Sequence, residues 1–271
     1  MPTAAQRLEV ENALRHWDRY WAGNSVLDAF DIDELEGPRD QRFRARLALV
    51  NDQQMAELQD FFDLRRERHR IWGLGFRLFV SHIAQSVQQL LPLTEALKRY
   101  GIVPFLAHEH IAPGQLWHRE LTTALSSMDA LLSFHSAGFA QSPWCGQEVG
   151  YALGRGVLVL PVRGGEDPGG FVGEIQGIPW NPQNVPRTVG LVIANLRENP
   201  QTRVALGDTL ARELKYSGSF DRSDFLVEQL QQLGPLTEGA HHSIGLALKF
   251  NDQVRGRNNA EDLINPEEDA A

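Results

Sequence analysis

Ser142-Pro143-Trp144-Cys145-Gly146-Gln147-Glu148 gathers into one short run the side chains of this sequence best suited to chemistry. Ser142 suits a helix N-cap, because its hydroxyl can accept from an unpaired amide of the first turn, and Pro143 suits the first helical position. Trp144 and Glu148 then stand four residues apart, on one helix face and within reach of each other. A ring and an acid therefore face the same space, where one can pack on a ligand and the other can stabilise positive charge. Read in isolation, the same two residues also fit a core aromatic and a solvated helix charge. Cys145, in the first turn, is open to two readings: a thiol activated by the helix N-terminus, or a buried, idle one. Ser81 and His82 close a short apolar run, a ligand-facing place if that run is a strand; a capping hydroxyl beside a surface histidine is the other reading. His108, His110 and His118 with Glu109 and Glu120 match no metal-ligand spacing, so no metal site is expected.

The elements that must position these groups are legible as alternating short apolar runs and amphipathic stretches. Phe76 to His82, Ile102 to Ala107, Ala130 to Phe134 and Val157 to Val162 read as buried parallel strands. Pro104 lacks an amide donor and places its strand at an edge or in an irregular ladder. Between them, Val87, Leu90, Leu91, Leu93, Leu97 and Tyr100 recur at helical spacing and Gly101 closes that helix. Leu116 to Met128 is a second amphipathic helix, with Leu121, Ala124, Leu125 and Met128 inward. The helix from Ser142 is a third crossover, and 175–180 holds a last short edge strand. This alternation predicts a parallel sheet with helices on both faces, whose ligands bind at the carboxyl ends of the strands. The glycines of Arg163 to Gly170 have neither the Rossmann nor the P-loop spacing, so no phosphate cradle is read there.

The flanks carry helical stripes and no motif. Residues 1–72 read as a mostly helical region, with Leu8, Ala13, Leu14 and Trp17 and then Met55, Leu58, Phe61 and Phe62 at helical spacing. Asp31 to Pro38 reads as a turn and Asp63 to Arg70 as a solvated, charge-dense helix face. Residues 184–264 read as a second helical region, and 265–271 as a disordered tail. The chain has 271 residues, 42% of them hydrophobic, a single cysteine and a net charge of -9. That balance suggests no nucleic-acid partner. No run approaches a membrane span of roughly 20 apolar residues, and the start lacks the apolar core of a secretion signal. A cytoplasmic location is expected.

Residues 73–183 resemble a bacterial Toll/interleukin receptor (TIR) domain. The resemblance rests on Phe79-Val80-Ser81-His82 as the first box, on the loop His108-Glu109-His110-Ile111-Ala112-Pro113-Gly114 as the second, and on Ser142 to Glu148 as the catalytic motif. It implies a flavodoxin-like fold with a five-stranded parallel sheet. It further implies cleavage of NAD at the nicotinamide ribosyl bond, giving nicotinamide and ADP-ribose or a cyclised ADP-ribose, in bacterial anti-phage defence. The family's catalytic glutamate falls on Glu148, and Ser81, His82, His108, Glu109 and Trp144 fall where substrate binds. His110 stands where bacterial relatives often carry an aspartate. NAD enters as substrate and no cofactor is implied. The expected partners are further copies of the chain, through TIR contacts, and an effector that reads the product, with no nucleic acid and no membrane. A different reading from the same family is a TIR interaction module without catalysis; such members typically lack the glutamate.

Overall fold

The computed structural model describes residues 10–11, 39–58, 70–106, 117–256 and 260–264. The chain divides into two compact units, Met1–Arg70 and Ile71–Ala271. In the first, helix α1 (Arg39–Leu49) and the helical residues 52–58 carry buried Phe43, Leu47, Met55 and Leu58. The expected stripe at 8–17, the turn at 31–38, Phe61, Phe62 and the charged run 63–69 lie outside the described residues.

The second unit begins its sheet at β1 (Phe76–Ser81) and continues through α2 (Val87–Lys98), β2 (Ile102–Leu106), α3 (Trp117–Ser127), β3 (Ala130–His135), α4 (Pro143–Gly154), β4 (Leu158–Arg163) and β5 (Ile178–Pro179). The strands are all parallel, in the order β2-β1-β3-β4-β5. Parallel pairing requires a crossover between successive strands, which the amphipathic helices provide. β2 is an edge strand, which is where the missing amide of Pro104 is tolerated. The start of β1 is pinned to the turn before β3: the Arg77 amide and Nε donate to Asp129 Oδ2 at 2.8 and 3.0 Å, and the guanidinium forms an ion pair with the same carboxylate.

Side chains alternate across the sheet, so its two faces differ in content. Leu78, Val80, Leu132, Phe134, Leu160 and Val162 point to one face and share a single core with α2 and with the helices that follow the sheet. Those are α5 (Val185–Glu198), α6 (Pro200–Lys215), α7 (Phe220–Gln231) and α8 (Glu238–Phe250). Each starts on an N-cap side chain that accepts from its first turn: Asn184, Asn199, Ser219 and Thr237. Asn251 closes the far end of α6, its Nδ2 donating to the Ser217 carbonyl at 2.9 Å and the Lys215 carbonyl at 3.2 Å. Phe250, the last residue of α8, is 68% exposed although the helix is apolar on its inner face. The opposite sheet face carries Phe79, Leu131 and Val159 under α3 and α4, with the tilted ring pair Trp72 and Phe105 beside them, centroids 5.6 Å apart, and the Trp72 indole donating to Ser127 Oγ at 2.9 Å.

Gly101 ends the turn after α2 with φ +69°, a left-handed conformation that costs other residues about 1–2 kcal/mol. A Cβ there would also stand 2.6 Å from Thr209 Cγ2 and 2.9 Å from Glu213 Cγ, both on α6. Gly101→Ala is therefore expected to lower the urea midpoint of unfolding, by at least the backbone cost, with the m-value unchanged.

Candidate functional site

Helix α4 begins as its sequence dictates: Ser142 has extended backbone, its hydroxyl accepts from the Cys145 amide at 3.3 Å, and Pro143 occupies the first turn. Cys145, Val149 and Ala152 face the sheet. That orientation sets Glu148 on one flank of the buried face. Its side chain is 7% exposed, whereas Trp144, one turn earlier on the same flank, is 46% exposed. The core-aromatic reading of Trp144 therefore fails.

What lies under Glu148 follows from the strand order. The chain leaves β1 for β2 on one side and returns to β3 on the other, so the crevice between β1 and β3 is the switch point where α/β sheets take ligands. Ser81 is the last residue of β1 and pairs in register with Ser133 of β3. The Ser81 hydroxyl donates to Glu148 Oε2 at 2.6 Å, the short length of a hydroxyl bonded to a carboxylate. Burial raises the Glu148 pKa from 4.5 to about 7, against the lowering effect of the Ser81 hydrogen bond. Near neutral pH the carboxyl is poised between its two forms.

The neighbours divide clearly. His82 is 4% exposed, not a surface residue, and its Nδ1 lies 2.8 Å from the Val80 carbonyl. A carbonyl only accepts, so Nδ1 carries the proton there. Cys145 is buried, and burial pushes its thiol up, as does the adjacent Glu148 carboxylate. Such a thiol stays protonated near neutral pH, contrary to an activated nucleophile. His108, Glu109 and His110 lie outside the described residues. Among the described residues no group of three or more histidine, cysteine, aspartate or glutamate side chains can hold a metal ion, and no helix is long and apolar enough to cross a membrane.

Two polar residues of β3 were not singled out from the sequence. Ser133 and His135 sit on the same face as Ser81, with Ser133 Oγ 3.0 Å from His135 Nε2, and both are buried. Their signal was present in the sequence as a serine and a histidine two residues apart at the end of an apolar run, a spacing that puts both on one face. Burial lowers the His135 pKa, with Glu166 opposing the shift.

Residues 78–187 match the family model described as the TIR domain. This segment has the TIR fold. The match takes in Ser81 and Glu148 together and covers less than half of the 271 residues. Among solved structures, the crystal structure of the TIR domain of a Toll-related receptor from Hydra magnipapillata aligns with 14% identity and a TM-score of 0.39, covering 45% of this chain and 98% of that one. No curated protein matches the chain.

The raised carboxyl of the TIR segment makes a stability prediction whose sign is fixed. At pH 4 and below Glu148 is protonated whether the chain is folded or not. Between about 4.5 and 7 the unfolded chain gives up this proton first, so stability falls as pH rises, and above 7 the loss is complete. Glu148→Gln removes that loss. The variant is expected to melt above the parent at pH 8, by an amount equivalent to at most about 3 kcal/mol, with the gap closing by pH 4. Equal melting of the two proteins at both pH values would show that Glu148 is not desolvated in the fold.

Proposed function

We propose that the TIR segment cleaves NAD at the nicotinamide ribosyl bond, with Glu148 as the catalytic carboxylate. The observation that carries this reading is the buried Glu148 carboxyl at the switch point of the sheet, held among the described residues by the Ser81 hydroxyl. NAD needs no acid to release nicotinamide, because the pyridinium nitrogen takes the bonding electrons and leaves neutral. What the reaction needs is stabilisation of the oxocarbenium-like ribosyl centre that remains. An ionised Glu148 supplies it in a site of low dielectric, where one charge counts for more than it does in water.

Ser81 has a defined part in this scheme. Assigned from the sequence to substrate binding, its hydroxyl is committed to Glu148, where it orients the carboxylate and favours the ionised form. Trp144 offers an exposed ring one turn away for stacking. His82 borders the site, and His108 and Glu109 belong to the loop that the resemblance assigns to substrate. The nucleophile that meets the ribosyl centre decides the product: water gives ADP-ribose and an atom of the substrate gives a cyclised form. The same resemblance supports the wider setting. Neighbouring TIR domains complete one another's sites, and the product is read by a separate effector in bacterial anti-phage defence.

Glu148→Gln keeps the volume and removes the charge. It is expected to cut NAD cleavage on the order of 100- to 1,000-fold, measured by chromatography of nicotinamide and ADP-ribose, while Cys145→Ala keeps the parent's rate. The ionised form is the active one, so the parent's rate should rise with pH through a midpoint near 7. Ser81→Ala should move that midpoint upward, because the lost donor had favoured the anion. Cleavage by Glu148→Gln at the parent's rate would exclude the carboxylate role. If parent and variant are equally inert, the segment is an interaction module.

Completion of the site between copies makes a separate prediction. Specific activity should rise with protein concentration over a dilution series followed by light scattering. Constant specific activity in a monomer would rule out shared sites.

A further inference from the structure

Helix α4 has a second flank. With 3.6 residues per turn, Gly146, Gly150 and Leu153 fall on the side away from Glu148 and Trp144, and there they border a cleft of about 350 Å³. His135 from the end of β3, Phe139 from the turn that follows, and Phe171 from the 3-10 turn Gly170–Val172 supply its other walls. Neither Glu148 nor Ser81 lines it. The volume is that of a small-molecule site.

Three features distinguish this cleft from a packing gap. The first is its floor. A Cβ at Gly146 or Gly150 would meet nothing within 4 Å, so close packing within the chain requires neither glycine, although each costs the helix about 1 kcal/mol relative to alanine. The second is the rim, where the Phe171 ring is 92% exposed. The third is His135, which is 4% exposed. Its Nε2 is engaged with Ser133 Oγ, the Phe139 ring packs against it tilted by 46° with centroids 4.3 Å apart, and among the described residues no hydrogen bond reaches Nδ1. The imidazole thus lines the apolar cleft with one nitrogen that is not sealed off from it.

We propose that this cleft binds a neutral planar heteroaromatic ring of nucleobase size, laid on the backbone of Gly146 and Gly150, stacked on Phe171 and hydrogen-bonded to Nδ1 of His135. Bare helix backbone and an aromatic wall suit the flat face of a ring rather than a branched aliphatic group. The mostly apolar lining penalises a charged group. An anion is disfavoured further by Glu166, whose carboxylate accepts from the Gly138 amide at 3.2 Å and acts electrostatically on His135. One polar anchor in an apolar slot matches a ring nitrogen or an exocyclic amine. The proposal is independent of any role for Glu148.

The test uses adenosine as the probe, titrated into the full chain by calorimetry, with the histidine ring signals followed by NMR. Saturable binding that shifts the His135 resonances is expected. Gly150→Leu projects a side chain into the cleft from an open helix position and should abolish binding without lowering the melting temperature. Phe171→Ala should weaken it, and His135→Phe should weaken it about tenfold, the loss typical of one hydrogen bond. Glu148→Gln should bind as the parent does. Three results would overturn the assignment: no saturable adenosine binding by the parent, binding that survives Gly150→Leu, or binding that Glu148→Gln abolishes while Gly150→Leu retains it. If His135→Phe does not fold, the Gly150→Leu and Phe171→Ala comparisons still decide.

Discussion

A carboxyl group stays inside a protein only when something offsets its lost hydration, and at Glu148 that offset, among the described residues, is the Ser81 hydroxyl. The arrangement makes demands at several levels. Ser81 must end a central strand, β3 must lie beside it, and α4 must start early enough that its second turn passes over the gap between them. The sequence meets each demand locally, with an apolar run that ends in serine, a Ser-Pro helix start, and a crossover whose buried face is Cys145, Val149 and Ala152. Because the hydroxyl only partly compensates the burial, the group is left near its titration point and not firmly ionised. A fold optimised only for stability would place glutamine or an apolar residue here.

Much of this architecture could be read from the sequence because its signals are local. Continuous apolar runs of about six residues cannot serve as exposed strands, so Phe76–Ser81, Ala130–His135 and Leu158–Arg163 were legible as a buried parallel sheet, and Pro104 marked the edge. The Ser142 cap fixed where α4 starts. The hydrogen bond between Ser81 and Glu148 was not legible, because it joins residues 67 positions apart and depends on strand order. Exposure was also hard to read. Trp144 and Phe250 are apolar residues at helical spacing that remain open to solvent, whereas His82 is polar and buried. Side-chain type sets a preference for burial, but a residue's position on its helix relative to the sheet settles the matter.

One helix therefore separates two different environments. The flank with Glu148 and Trp144 pairs a titrating acid with an exposed ring, and the flank with Gly146 and Gly150 is bare backbone beside aromatic side chains. Below them, Ser81, Ser133 and His135 form a polar row on the sheet face that also carries Phe79, Leu131 and Val159. The buried polar groups of the candidate site lie on that face. The reverse side of the same strands is wholly apolar, and its contribution is to hold the strands rigid.

This asymmetry bears on how the second unit opens. On the apolar face, sheet, α2 and α5 to α8 share one continuous apolar core, so they form one cooperative unit. The layer containing α3 and α4 rests on a smaller set of buried residues and on polar contacts that water can replace. Amide hydrogens of α4 should then exchange through partial openings that leave the remaining strands and helices protected. The fluctuations that admit solvent to Glu148 belong to its own helix, and the chain can visit them repeatedly without approaching global unfolding.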